Sequence, residues 1–303
     1  MIEKTELRKR RDFGENISTI FHIIRTEHKQ FVGSIVLIAG PVILIASIAV
    51  AYVTVNAMDA FSSFDPTDSS SASSLLGSYI QIIFSYVGIW IGYTVISIVT
   101  YSYLKVYLEV DRVEDVTTNM VWNETKRHIF SVTFASIINI IVIIFCTIFL
   151  VIPGLIMSVY LSMVIPIMIL EGESYGSAFN KSFRYLSNNF WLTAGLLIVV
   201  SIIASMISFA FSIPSTALSF VWQLNTMESW SDGGSSSTLG STFAFFFLIT
   251  TIFANLARML TYSFTHLSMG LQYYNVKEQI DSTGLMEQIA NMGTNKTFED
   301  ETY

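Results

Sequence analysis

Charge is scarce in this chain. Asp, Glu, Lys and Arg make up 13% of its 303 residues, about half the share of a soluble domain. So few charged side chains cannot coat a water-exposed surface. With 52% hydrophobic residues and a mean hydropathy of +0.57, the composition points away from a soluble enzyme and toward a bilayer as solvent. Basic charge is scarcer still: 16 Lys and Arg against 23 Asp and Glu leave a net charge of −7. That argues against nucleic acid as a partner, because such binding needs a basic face. The one cysteine, Cys146, lies in an apolar run, so an intrachain disulfide, a CxxC pair and a thiolate metal cluster are all excluded. GxSxG, Walker A and HExxH patterns are missing too. The expected sets of catalytic, cofactor-binding and metal-binding residues are therefore empty, and the chain is not expected to be an enzyme.

What the sequence does have is long apolar runs. Six stretches approach the roughly 20 residues that cross a hydrocarbon core: residues 31–55, 75–104, 129–152, 155–170, 190–212 and 242–265. The first is too long for a signal-peptide core and has no obvious cleavage site, so it reads as a retained span. The fourth is short and follows Pro153-Gly154, a turn dipeptide, which predicts a tight hairpin between spans three and four. Lys and Arg fall before span one, after spans two and four, and in the tail, with Arg258 toward the end of span six. Residues 56–74 and 213–241 hold none. The positive-inside rule then places both termini in the cytoplasm of a bacterial inner membrane. The expected fold class is an all-α, six-span helix bundle. It divides into an amphipathic cytoplasmic segment (1–30), a membrane domain (31–275) and a cytoplasmic tail (276–303).

Each pair of spans follows a segment of helical periodicity. In the first, Phe13, Ile17, Ile20, Phe21 and Ile24 share one face, with Glu15, Asn16, Ser18, Thr19 and His22 mostly opposite. In the third, Tyr175, Phe179, Phe183 and Leu186 oppose Asn180, Lys181 and Arg184. The second, residues 111–128, is more polar. Such helices lie in the membrane interface. Shifting the first unit by 162 residues sets Phe13-Gly14 on Tyr175-Gly176, Phe21 on Phe183 and Gly33 on Gly195. The pattern reads as a threefold repeat of interfacial helix, span, span, either a transporter's internal symmetry or simply a way to build a bundle.

Several short stretches carry a family likeness: Pro166-Ile-Met-Ile-Leu-Glu171, Ser177-Ala-Phe-Asn-Lys-Ser182, Asn189-Phe-Trp191 and the closing Leu271-Gln-Tyr-Tyr274. With them the chain resembles the membrane-domain family of glycerophosphoryl diester phosphodiesterases and related six-helix bacterial membrane proteins. Arg11-Asp-Phe-Gly-Glu15 and Thr283-Gly-Leu-Met-Glu287 resemble a Bacteroidota branch of such proteins. The resemblance implies a membrane bundle. It carries no catalytic residue over, because the soluble barrel fused to some relatives needs about 250 residues and no soluble stretch here approaches that. The matching residues Pro166, Glu171, Ala178 and Ser182 look like structural signature positions.

Within the spans, polar positions are few. Arg258 lies roughly 24 Å along span six. It is expected to contact a substrate or lipid phosphate, to pair with Glu171, or to snorkel to the interface. Asn139 and Asn255 are expected to hydrogen-bond between spans, and Pro41 and Pro166 to kink their helices. Gly88 and Gly92 have the spacing of a close helix contact, internal or between copies. His22, His28, His128 and His266 lack HxxxH spacing, which leaves them as interfacial or solvated side chains. The spans hold no acidic residue, which weighs against an ion-coupled carrier. After residue 277, Leu285, Met286, Ile289 and Met292 form a short apolar stripe. The expected role is a non-enzymatic module that organises lipids or protein partners, with transport or lipid translocation as the alternative. The expected partners are the lipid bilayer and either another protein or a second copy.

Overall fold

A computed structural model describes residues 4–64, 67–231 and 241–281. Of these, 89% are helical and none lies in a strand. The helices are α1 (Phe13–Thr26), α2 (His28–Ile38), α3 (Gly40–Ser62), α4 (Ser69–Glu109), α5 (Thr118–Phe149), α6 (Val151–Ser162), α7 (Val164–Glu171), α8 (Tyr175–Leu186), α9 (Phe190–Ser231) and α10 (Ser241–Asp281). Six stretches are long and apolar enough to cross a membrane: α3, α4, α5, α6 with α7, most of α9 and α10. The fold is a helical membrane bundle, and the chain is a multi-pass membrane protein. Only 17–50% of each most apolar window is buried, so most of its aliphatic surface is left to face acyl chains. Phe84, Phe130 and Ile148 are among the side chains that do so.

The apolar runs are cores of longer helices. α4 extends beyond its run at both ends, α9 continues to Ser231 through much of the expected outer loop, and residues 276–281 of the expected tail are the end of α10. The stripe Leu285 to Met292 lies outside the described residues. The first run is divided: α2 and α3 meet at Ala39, two residues before Pro41. Residues 111–128 do not form a separate interfacial helix. A single 3₁₀ turn, Val113–Asp115, leads to Thr117, whose hydroxyl accepts from the Met120 N–H and caps one continuous helix into span three. Glu124 is therefore a helix residue rather than a loop residue.

Spans three and four do form a hairpin, but Pro153-Gly154 is not its turn. The chain reverses at Leu150, in extended conformation, and Pro153-Gly154 lies in the first turn of α6, where a missing N–H costs nothing. Gly154 is needed for proximity. A Cβ there would collide with the Thr147 hydroxyl and come within 3.1 Å of the Thr147 Cα. Further along, α6 and α7 break at Met163. Pro166 lies three residues later and cannot donate to the carbonyl of Ser162.

Two compact units make up the chain. The first comprises Met1–Ser34, Thr100–Val200 and Phe264–Tyr303; the second comprises Ile35–Val99 and Ser201–Ser263. Among the described residues, every Lys and Arg except Arg258 belongs to the first. In the second, Ala46, Val50 and Ile89 form a core with Tyr93 against it. Gly88 and Gly92 pack internally there, on Ala46 and Ile43 of α3. Within the first unit, Gly154→Ala forces backbone apart in the α5–α6 hairpin and is expected to cost about 1–3 kcal/mol. A lowered unfolding midpoint in detergent, with Gly176→Ala (open space at its Cβ) as control, is the measurement.

Candidate functional site

The first unit buries a set of polar side chains where α4, α7 and α10 end and α1 and α8 pack. Glu171 is one of its most heavily bonded members. It closes α7, and Gly172 follows with φ 71°, a conformation that glycine adopts at least cost. The turn sends Glu171 between α8 and α10. One carboxylate oxygen accepts from the Tyr273 hydroxyl at 2.7 Å, the Tyr185 hydroxyl at 2.8 Å and the Lys277 ammonium at 3.1 Å. The other accepts from Lys181 at 2.6 Å. Lys181 also reaches Glu173 at 2.5 Å, and its ammonium is held above the ordinary lysine value by bonds to Glu171 and Glu173. Burial and the Glu171 carboxylate both push the Tyr185 hydroxyl well above its ordinary value, so it stays a donor.

Glu27 is satisfied differently. It caps α1, is fully buried, and takes its bonds from hydroxyls: Tyr107 at 2.9 Å, Thr5 at 3.2 Å and Tyr103 at 3.3 Å. Burial raises its carboxyl above the ordinary 4.5, and the bonds from Tyr107, Thr5 and Tyr103 offset part of that rise. Tyr107 also accepts from the Thr5 N–H at 2.7 Å, tying the N-terminal segment to α4. A third group links α10 to the N-terminal segment, α1 and α9. Asn275 accepts from the Arg11 N–H and donates to the Arg11 carbonyl, Asn16 donates to Gln272, and Gln272 donates to Thr193.

The interfacial helices turn by one position from expectation. α1 buries Asn16, Ile20 and Ile23, while Phe21 is exposed. Asn16 goes inward and donates to the Gln272 carbonyl oxygen, which also accepts from Asn275. α8 buries Ala178, Ser182, Tyr185 and Leu186, and its Tyr175, Phe179 and Phe183 form a half-buried ladder that stacks on Tyr160. The 162-residue shift carries Asn16, Ile20 and Ile23 onto Ala178, Ser182 and Tyr185, and the first residue of α1 onto that of α8. Two of the three expected repeats thus share a buried stripe as well as a sequence pattern.

The remaining singled-out residues are dispersed. Pro166 is buried in α7, and Ser182 is buried with its hydroxyl on the Phe179 carbonyl. Asn139 accepts from the Tyr175 hydroxyl at 2.9 Å, so its partner is on α8 rather than on another span. Asn255 is buried on α10 in the second unit. Arg258, also in that unit, is exposed and bonds the Tyr93 hydroxyl, while Glu171 draws Lys181 and Lys277 from its own unit instead of Arg258. His128 joins Lys105 and Arg127 on Glu124, and His266 meets the Tyr101 hydroxyl at 3.0 Å. Among the described residues no three His, Cys, Asp or Glu gather in a way that could hold a metal ion.

Beside Glu171 lies a cavity of about 290 Å³, bordered by Arg8, Lys105, Glu109, Lys277 and Glu278 with Leu108, Leu170, Tyr273 and Tyr274. Sequence reading missed Glu27 and this cavity. The available signal was the pair of i, i+4 polar positions at the ends of apolar runs, Tyr103 with Tyr107 and Tyr273 with Lys277, each of which puts two donors on one helix face. No family model, curated protein or solved structure matches the chain.

Glu27 gives a prediction with a definite sign. Its folded carboxyl binds a proton more tightly than the unfolded one, so the associated stabilisation is complete below pH 4.5 and is lost as pH rises through the raised folded value. Glu27→Gln removes that dependence. Thermal unfolding in detergent from about pH 4 to about pH 8 is expected to show wild type weakening relative to the variant as pH rises. Parallel curves would refute the assignment. Tyr273→Phe deletes one bond to the Glu171 carboxylate and one from the Lys277 ammonium, and is expected to cost about 1.5–3 kcal/mol, read as a lowered unfolding midpoint.

Proposed function

We propose that this chain is a non-enzymatic module of a bacterial inner membrane that organises lipids around a polar inner face, with both termini in the cytoplasm. The observation that carries the reading is the position of the cavity. All of its lining residues come from the N-terminal segment or the closing turns of α4, α7 and α10, which is where lipid headgroups meet the ends of spans. The aliphatic surface left outside suits a bilayer solvent, and the Lys and Arg grouped at those ends suit the cytoplasmic side. Pro166, Glu171, Ala178 and Ser182, the positions of family likeness, pack α7 and α8 beside the cavity. They support kinship with the glycerophosphoryl diester phosphodiesterase membrane domains. Their surroundings suit a structural role: Ala178 offers no chemistry, and the Ser182 hydroxyl bonds its own helix. The alternative, transport or lipid translocation, calls for polar lining that continues toward mid-span, and the cavity's lining does not include mid-span residues.

The test is lipid mass spectrometry on protein purified in mild detergent, paired with solute flux into proteoliposomes. Reproducible enrichment of one lipid class without flux is the expected result, and flux above empty vesicles would overturn it in favour of transport. A tag on the carboxyl end is expected to be labelled only from the cytoplasm; labelling from the periplasm would reverse the orientation.

A further inference from the structure

The turn of the α5–α6 hairpin is unlike the other two segments that join neighbouring spans on its side. Residues 62–74 and 225–241 are rich in Ser and carry Asp or Glu, as segments that reach water do. From Ile140 to Met157, along both legs of the hairpin and across its turn, there is no charged residue, Asn, Gln or His, and Thr147 bears the one hydroxyl. At the tip Ile148, Phe149, Leu150, Val151, Ile152 and Leu155 are 62–76% exposed. So continuous an apolar surface is a poor contact for water.

The backbone of the tip suits hydrocarbon, where an unpaired N–H or carbonyl is costly. The reversal takes a single residue, Leu150. Its N–H donates to the Cys146 carbonyl at 3.2 Å, and its carbonyl accepts from the Gly154 N–H at 3.4 Å. Pro153 brings no N–H to the first turn of α6. The Thr147 hydroxyl donates to the Ile143 carbonyl at 2.7 Å.

Depth follows from α8. Its Gly176, Asn180 and Arg184 are exposed while Ala178, Ser182 and Tyr185 are buried, the division of a helix lying in the membrane interface. α8 meets the hairpin part-way along both legs. The Tyr175 hydroxyl donates to Asn139 of α5 at 2.9 Å, and Phe183 stacks on Tyr160 of α6 with ring centroids 4.3 Å apart. From those two residues to Leu150 each leg is about ten residues, or roughly 15 Å. A hydrocarbon core is about 30 Å thick, so a leg of this length ends near its midplane.

We propose that the α5–α6 hairpin is a re-entrant wedge, which enters the bilayer from the side where α8 lies, turns within the hydrocarbon and presents its tip to lipid acyl chains. Such a wedge displaces chains in one leaflet and leaves the other intact beyond its tip, an asymmetric contact that a full span lacks. Two half-crossings return the chain to the same side as two full ones, so the placement of the termini is unchanged. The inference goes beyond the lipid-organising reading and does not depend on it.

The experiment uses the full chain in phosphatidylcholine vesicles, with one nitroxide at a time on Ile141→Cys, Phe145→Cys, Leu150→Cys or Ile152→Cys, and on Ser73→Cys as the aqueous reference, all in a Cys146→Ala background. Each of the five labelled positions is exposed, so the variants should fold, and Ile152→Cys reads the same tip should Leu150→Cys fail. Collisions with oxygen, which dissolves in hydrocarbon, are compared with collisions with a nickel chelate, which stays in water. The oxygen-to-nickel ratio is expected to rise from 141 through 145 to a maximum at 150 and 152, about tenfold or more above the Ser73→Cys value. A maximum part-way along α5 with a fall toward 150 would show a full crossing and overturn the proposal. Few collisions with either reagent at 150 and 152 would also overturn it, because protein and not lipid would then cover the tip.

Discussion

A carboxylate taken out of water loses hydration worth several kcal/mol and must recover it from donors the protein supplies. In the first unit that requirement organises the helix ends. Glu171 needs donors on both oxygens, and it finds them only because α8 brings Tyr185 and Lys181 to one side and α10 brings Tyr273 and Lys277 to the other. Removing either helix would leave a largely buried charge with only half of its donors. The turn at Gly172 and the packing of Ala178 and Ser182 follow as the geometry that brings α8 back against α7.

Glu27 solves the same problem with neutral donors. Three hydroxyls surround it, whereas Glu171 has two ammonium groups. The difference is chemical. Ammonium partners hold a carboxylate charged, while hydroxyls can serve either form because each both donates and accepts. One buried acid is thus an anchor for helices, and the other is a group whose protonation is coupled to the docking of the N-terminal segment through Thr5 and Tyr107. The two acids sit at different points of otherwise related units: Glu27 follows α1, and Glu171 precedes α8. The repetition therefore extends to the packing stripe of the interfacial helices and not to their acidic partners.

The lipid-facing surface and the polar helix ends obey one rule from opposite directions. Along the spans there is no water to pair backbone groups, so the chain forms helices and leaves aliphatic side chains outward. At the ends, long charged side chains return and pair with one another while their lysines keep part of their surface exposed. Lys105 with Glu124 and Lys277 with Glu171 are such pairs, and the cavity is the space their fixed positions leave open.

Composition and the length of the apolar runs determined the class of protein, because a hydrocarbon solvent leaves an all-helical bundle as one of few solutions. Pro41 and Pro166, each of which removes a backbone donor, lie two and three residues past the breaks at Ala39 and Met163. The sequence placed α1 and α8 too, because amphipathic periodicity is a local property. The inward stripe on α1 was not legible. Asn16 reads as a solvent residue, and its inward partner Gln272 is far along the chain. The reversal at Leu150 rather than at Pro153-Gly154 was equally hidden, because the helices approach through the fit of Gly154 against Thr147. Glu27 carries no local sign that it is buried. Its surroundings are Thr5, Tyr103 and Tyr107, which are remote in sequence, and a buried polar group is defined by partners that only the tertiary structure brings together.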